Sequence, residues 1–122
     1  MSDFNPLIER YFAIWNETDG PRRRALIAES WTETGSYVDP KLSAEGHDGL
    51  DAMVRTVHEH YPGLRFRLIG DLDSHNDRVR FRWTFAPEAG PALASGLDVA
   101  VVAADGRLQS VTGFFDELRV AA

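Results

Sequence analysis

The chain has no cysteine, which excludes a disulfide framework, a thiolate nucleophile and a cysteine-held metal site. It has no apolar run long enough to cross a bilayer and no basic-then-apolar leader, so no membrane partner is expected and a cytoplasmic location follows. Positive charge is also scarce. Thirteen Lys and Arg stand against nineteen Asp and Glu, a formal net charge of -6. That balance argues against nucleic acid as a partner, because phosphate binding rests on clustered Lys and Arg. There is no Gly-rich phosphate loop and no Gly-x-Ser-x-Gly, so nucleotide and serine-nucleophile chemistry have no motif. The histidines lack ligand spacing: His58 and His60 are two apart on a helix and diverge, while His47 and His75 fall in loops. No metal and no cofactor is expected. Repeats, low-complexity tracts and linkers are absent as well.

What is present suits one domain over residues 1–122, with 43% hydrophobic and 26% charged residues. Phe4, Leu7, Ile8, Tyr11, Phe12 and Trp15 follow helical spacing and predict an amphipathic helix over about 4–17. Asp19-Gly20-Pro21 then stops one helix and starts another. The second helix carries Leu26, Ile27 and Trp31, with Arg22-Arg23-Arg24 as a solvated opening, and Gly35 breaks it. Ser36 to Asp39 reads as a short strand ended by Pro40. Asp48 caps a third helix with Leu50, Met53, Val54, Val57 and Tyr61 on one side, ended by Pro62-Gly63.

Four strands follow, over 64–72, 78–86, 93–103 and 107–116, joined by short polar loops. Arg65, Arg67, Arg78, Arg80 and Arg82 alternate along the first hairpin, a side that is wet or meets acidic groups of a second subunit. The expected fold class is α+β: a strongly curved, mostly antiparallel sheet forming a cone around three helices, with a pocket between them.

Asp98 stands out in that pattern. It sits inside the apolar run Gly96–Ala103, on one face with Ala100 and Val102. A carboxyl there must find hydrogen bonds, keep its proton or line a cavity. Alternation brings further residues to the same place. Val79, Phe81, Trp83 and Phe85 share one face, as do Val111, Gly113 and Phe115. Tyr37 and Asp39 lie together, and Tyr11 and Trp15 are one helical turn apart. Trp31 adds bulk, and His58 can turn inward beside Val54 and Tyr61.

The expected result is an aromatic cavity for a small hydrophobic molecule, with three polar tips: Tyr11, Asp39 and Asp98. Each tip also has a plain structural explanation, as a core tyrosine, a turn residue before proline and an edge-strand acid. Together they suit proton transfer at carbon. A carboxylate removes a proton next to a carbonyl, and a phenol beside a neutral carboxylic acid stabilises the enolate oxygen. No cofactor is required.

The element order, with Arg10-Tyr11, Asn16 and Tyr37-Val38-Asp39-Pro40, resembles the NTF2-like superfamily over roughly residues 7–116. Within it the chain looks like the SnoaL-like polyketide cyclase and ketosteroid isomerase branch. The resemblance implies that Tyr11 is an oxyanion-hole tyrosine, Asp39 the general base and Asp98 the oxyanion-hole acid. One departure is Val54, which stands where the isomerases place a supporting tyrosine, and a steroid substrate is not implied.

The expected function is therefore a cofactor-free isomerase, cyclase or dehydratase acting on a small hydrophobic carbonyl compound. The alternatives are a binding domain without chemistry and an epoxide hydrolase. The second needs an arginine in the pocket, and alternation turns the hairpin arginines away. A homodimer through the outer sheet face, with Val99, Val101, Phe114 and the arginines, is also expected.

Overall fold

The computed structural model describes residues 3–119. Helix α1 (Asn5–Asn16) starts with Pro6 in its first turn and buries Leu7, Ile8, Tyr11, Phe12, Ile14 and Trp15, the stripe its spacing predicts. Asp19 caps α2 (Gly20–Ser30) by accepting a hydrogen bond from the Arg22 amide at 2.9 Å.

Strand β1 (Trp31–Val38) begins where α2 ends, so Trp31 is a strand residue and not the last knob of the helix. Two things outweigh its helical spacing. Trp31 pairs with Leu108 across the sheet, and its indole is buried. Gly35 does not break a helix either. A Cβ on it would sit 2.6 Å from the Trp31 ring, so the glycine makes room for that ring within the strand.

A hairpin leads from β1 to the three-residue β2 (Ser43–Glu45), which is too short to show alternation in the sequence. Helix α3 (Gly46–His60) opens at Gly46, before Asp48; Asp48 lies in the first turn, where its charge suits the helix N-terminus, and does not cap. Four strands complete the chain: β3 (Leu64–His75), β4 (Arg78–Pro87), β5 (Ala94–Val102) and β6 (Leu108–Leu118).

The sheet order is β2-β1-β6-β5-β4-β3, with β3 to β6 an antiparallel meander and β1 parallel to β6. Register shifts between Ile69 and Asp73, and between Ser95 and Gly96, mark irregularities that bend the strands. The curved sheet wraps the helices, with α1 against β3 and α3 against β1. Among the described residues, no helix is long and apolar enough to cross a membrane.

One charge assignment changes. Arg23 is not solvated: it is 3% exposed, its Nε donates to Asp51 Oδ1 at 2.6 Å and its Nη1 to the Glu17 carbonyl at 2.9 Å. This pair joins α2 to α3, and each charge needs the other because neither reaches water. On the outer face, Arg80 pairs with Asp73 and Arg82 with Asp116 of the same chain. Those two arginines therefore have acidic partners without a second subunit.

Candidate functional site

A cavity of about 300 Å³ lies between α1, α3 and the concave face of the sheet. Tyr11, Trp15, Tyr37, Asp39, Trp83, Phe85, Asp98 and Phe115 all line it. Trp31, Phe81 and His58 do not. Phe81 and Trp31 lie behind Tyr11, with ring centroids 5.5 and 6.4 Å from its ring. Alternation gave Phe81 the right face but not the depth. His58 Nε2 lies 2.7 Å from the Trp15 carbonyl, which can only accept, so that nitrogen carries a proton and the ring ties α3 to α1. On α3 it is Thr56, Val57 and His60 that reach the cavity.

Asp98 is 3% exposed, opposite Phe81 on β4 and Gly113 on β6. Tyr11 Oη lies 2.7 Å from its Oδ2, and Trp83 Nε1 donates to its Oδ1 at 2.9 Å. Burial pushes its carboxyl up from 3.8 to about 7, against the lowering effect of the Tyr11 and Trp83 hydrogen bonds; the nearby Asp39 charge adds to the rise. The indole is a donor only, so it fixes Oδ1 as an acceptor.

A proton on Asp98 therefore belongs on Oδ2, where it is donated to Tyr11 Oη. The phenol O–H is then free for a ligand oxygen. When Asp98 is ionised, the same O–H is spent on the carboxylate. Burial, followed by the charge of Asp98, holds the Tyr11 phenol well above its usual range, so it stays a donor.

Asp39 closes the turn after β1. Its Oδ1 accepts from the amides of Lys41 and Leu42, both at 2.8 Å, and its Oδ2 accepts from Tyr37 Oη at 2.7 Å. Two donors fill Oδ1, whereas Oδ2 keeps one lone pair. Burial also raises Tyr37, helped by the charges of Asp98 and Asp39, so this phenol too keeps its proton. The two carboxyl-phenol pairs meet above Gly113. A Cβ there would lie 2.9 Å from Asp98 Oδ1, 3.0 Å from Tyr37 Oη and 3.1 Å from Asp39 Cβ.

Comparison with known proteins shows the family. Residues 8–111 match the SnoaL-like domain family. The chain belongs to that family. A provisionally assigned isomerase of the SnoaL-like family from Agrobacterium tumefaciens is 38% identical, with TM-score 0.88 over 92% of this chain and 96% of that one. A provisionally assigned SnoaL-like polyketide cyclase from Jannaschia sp. CCS1 superposes with TM-score 0.68 at 17% identity, covering 95% of this chain and 92% of that one. A protein of ketosteroid isomerase-like fold from Catenulispora acidiphila, in complex with trimethylamine, gives 0.72 at 10% identity, covering 89% of this chain and 84% of that one. The latter two share the NTF2-like fold. No curated protein matches the sequence.

Within this SnoaL-like domain, sequence reasoning put Gly113 on the inward face and Gly96 in the Asp98 run but missed how these glycines shape the site. Gly96 faces Trp83 across the strands, and a Cβ on it would sit 2.5 Å from the indole and 2.1 Å from the Phe114 carbonyl oxygen. Only glycine lets the indole lie there and reach Asp98. The visible signal was a pair of glycines inside otherwise regular strands, which marks close approach.

Proposed function

We propose that this SnoaL-like protein is a cofactor-free acid/base enzyme, of isomerase, cyclase or dehydratase type, that moves a proton on the carbon beside a carbonyl in a small hydrophobic compound. The observation that carries the reading is the Trp83-Asp98-Tyr11 chain of hydrogen bonds at the closed end of an aromatic cavity. With Asp98 neutral, the Tyr11 O–H donates to the carbonyl oxygen and Asp98 supports the phenol from behind. Asp39 Oδ2, with its remaining lone pair, takes the proton from carbon. The electrons of the C–H bond move to the oxygen, where the donor chain stabilises the enolate. Asp39 then returns the proton to the same or a conjugated carbon.

The test is deuterium incorporation into flat, hydrophobic enolisable ketones in D₂O, followed by NMR. The native protein should label one or more of them. Asp39→Asn should slow labelling by about a thousandfold while still binding the ketone. Undiminished labelling by that variant would remove Asp39 as the base.

A second reading, a ligand-binding domain without chemistry, is favoured by one observation: Asp39 Oδ1 holds the turn amides. On that reading no ketone is labelled, although aromatic ligands bind. An epoxide hydrolase is disfavoured because no arginine lines the cavity among the described residues.

A further inference from the structure

The cavity has a second polar end that proton transfer does not use. Tyr11, Tyr37 and Asp98 form its buried floor. Lys41, Thr56 and His60 also line it but are exposed, so they stand at its mouth. Between the two ends lie aromatic faces. Phe66 stacks on Phe85 with centroids 4.3 Å apart, and Trp15 and Trp83 meet Phe66 at 4.9 and 5.5 Å. Such a lining accepts a flat apolar body.

Lys41 is the single lysine of the chain. Among the described residues the eight ion pairs are all made by arginine, and none of them, nor any side-chain hydrogen bond, engages the Lys41 ammonium. Its backbone is nevertheless anchored, because the Lys41 amide donates to Asp39 Oδ1. Tyr37 and two amides take three of the four lone pairs of that carboxylate.

In a chain of net charge -6, an uncommitted ammonium at the mouth offers an anion a direct partner. His60 shares the rim. Its Nδ1 lies 2.9 Å from the Thr56 carbonyl, which makes Nδ1 the donor and leaves Nε2 uncommitted.

We propose that the compound taken up here is an amphipathic acid: a flat apolar body with its carbonyl at the Tyr11-Asp98 floor and a carboxylate at the far end, paired with Lys41. This rests on the floor being the proton-transfer site of the preceding section.

Two probes separate the ends, 2-naphthol and 6-hydroxy-2-naphthoate. Both offer a phenolic oxygen to the floor, but only the second carries a carboxylate. In calorimetric titrations at low salt and pH 6, the native protein should bind the naphthoate about fivefold more tightly, the upper range for an exposed ion pair. Lys41→Gln should lower the naphthoate affinity to that of 2-naphthol, and raised salt should erode the preference in the native protein. Equal affinities in the native protein, or a preference that survives Lys41→Gln, would overturn the proposal.

Tyr11→Phe tests the floor separately and should weaken both probes together. If it changes neither while the Lys41 dependence holds, the reading of the floor fails and the anion site stands. If neither probe binds up to millimolar concentration, both readings fail.

Discussion

At the scale of single residues, the chemistry of the cavity turns on one proton, that of Asp98. Unfolded, this carboxyl titrates near 3.8; folded, burial moves it to about 7. Between those values the native chain holds a proton that the unfolded chain has released. Its contribution to stability therefore falls as pH rises through that window, and is level above about 7. Asn has the shape and hydrogen bonding of the neutral acid, with its oxygen accepting from Trp83 and its amide donating to Tyr11 Oη.

Asp98→Asn should therefore unfold at the same denaturant concentration as the native chain near pH 4. At pH 8 it should be more stable by on the order of 3 kcal/mol. Denaturant melts of both proteins across pH check this, and parallel curves would show that Asp98 is not the buried titrating group. If the proposed chemistry holds, turnover of the native protein should also decline as pH rises through about 7, when the Tyr11 O–H is drawn back to the carboxylate.

At the scale of elements, strand pairing brings the two carboxyl-phenol pairs together, and two glycines set how close they come. Gly113→Ala puts a methyl group against Asp98 Oδ1, Tyr37 Oη and Asp39 Cβ, side-chain atoms that can shift by a few tenths of an ångström. It should cost at least about tenfold in probe affinity or turnover, with a stability loss of about 1 kcal/mol. Gly96→Ala meets a backbone carbonyl as well as the Trp83 ring, which have less freedom to move, so it should cost more than about 3 kcal/mol. Thermal melts and titrations on the two variants separate a site glycine from a folding glycine.

The same elements show what was legible in the sequence. Strands β3 to β6 follow from alternation and turn residues, and α1 from its stripe. Trp31 was misassigned to α2 because an indole at helical spacing looks the same whether it closes a helix or opens a strand. The pairing with β6 decides the matter. Strand β2 was invisible because three residues carry no period.

At the scale of the molecule, a cavity of about 300 Å³ is left open where the fold could have packed side chains. A chain selected for stability alone would fill it. Ala94, buried on β5 between Phe85 and Leu118, points the way to a test. Ala94→Leu should gain about 1 kcal/mol of stability by occupying the void, and lose tenfold or more in affinity for 2-naphthol. Melting and fluorescence titration read the two effects, and a variant that binds as well as the native chain would show that the ligand lies elsewhere.

The sequence by itself determined the element order apart from β2, the inward faces of the four long strands, and the presence of Tyr11, Asp39 and Asp98 among aromatics. Those features are written in local periods of two and 3.6 residues, which any reader of the chain can count. Tertiary structure alone decided which inward residues reach the cavity and what each polar group bonds to. Tyr11 meets Asp98 across 87 residues of chain, and Trp83 meets it across 15. The same contacts put Trp31, Phe81 and His58 behind the wall and Lys41 and His60 at the mouth. Depth and hydrogen-bond partnership depend on where separate elements come to rest against one another, and no local pattern carries that distance.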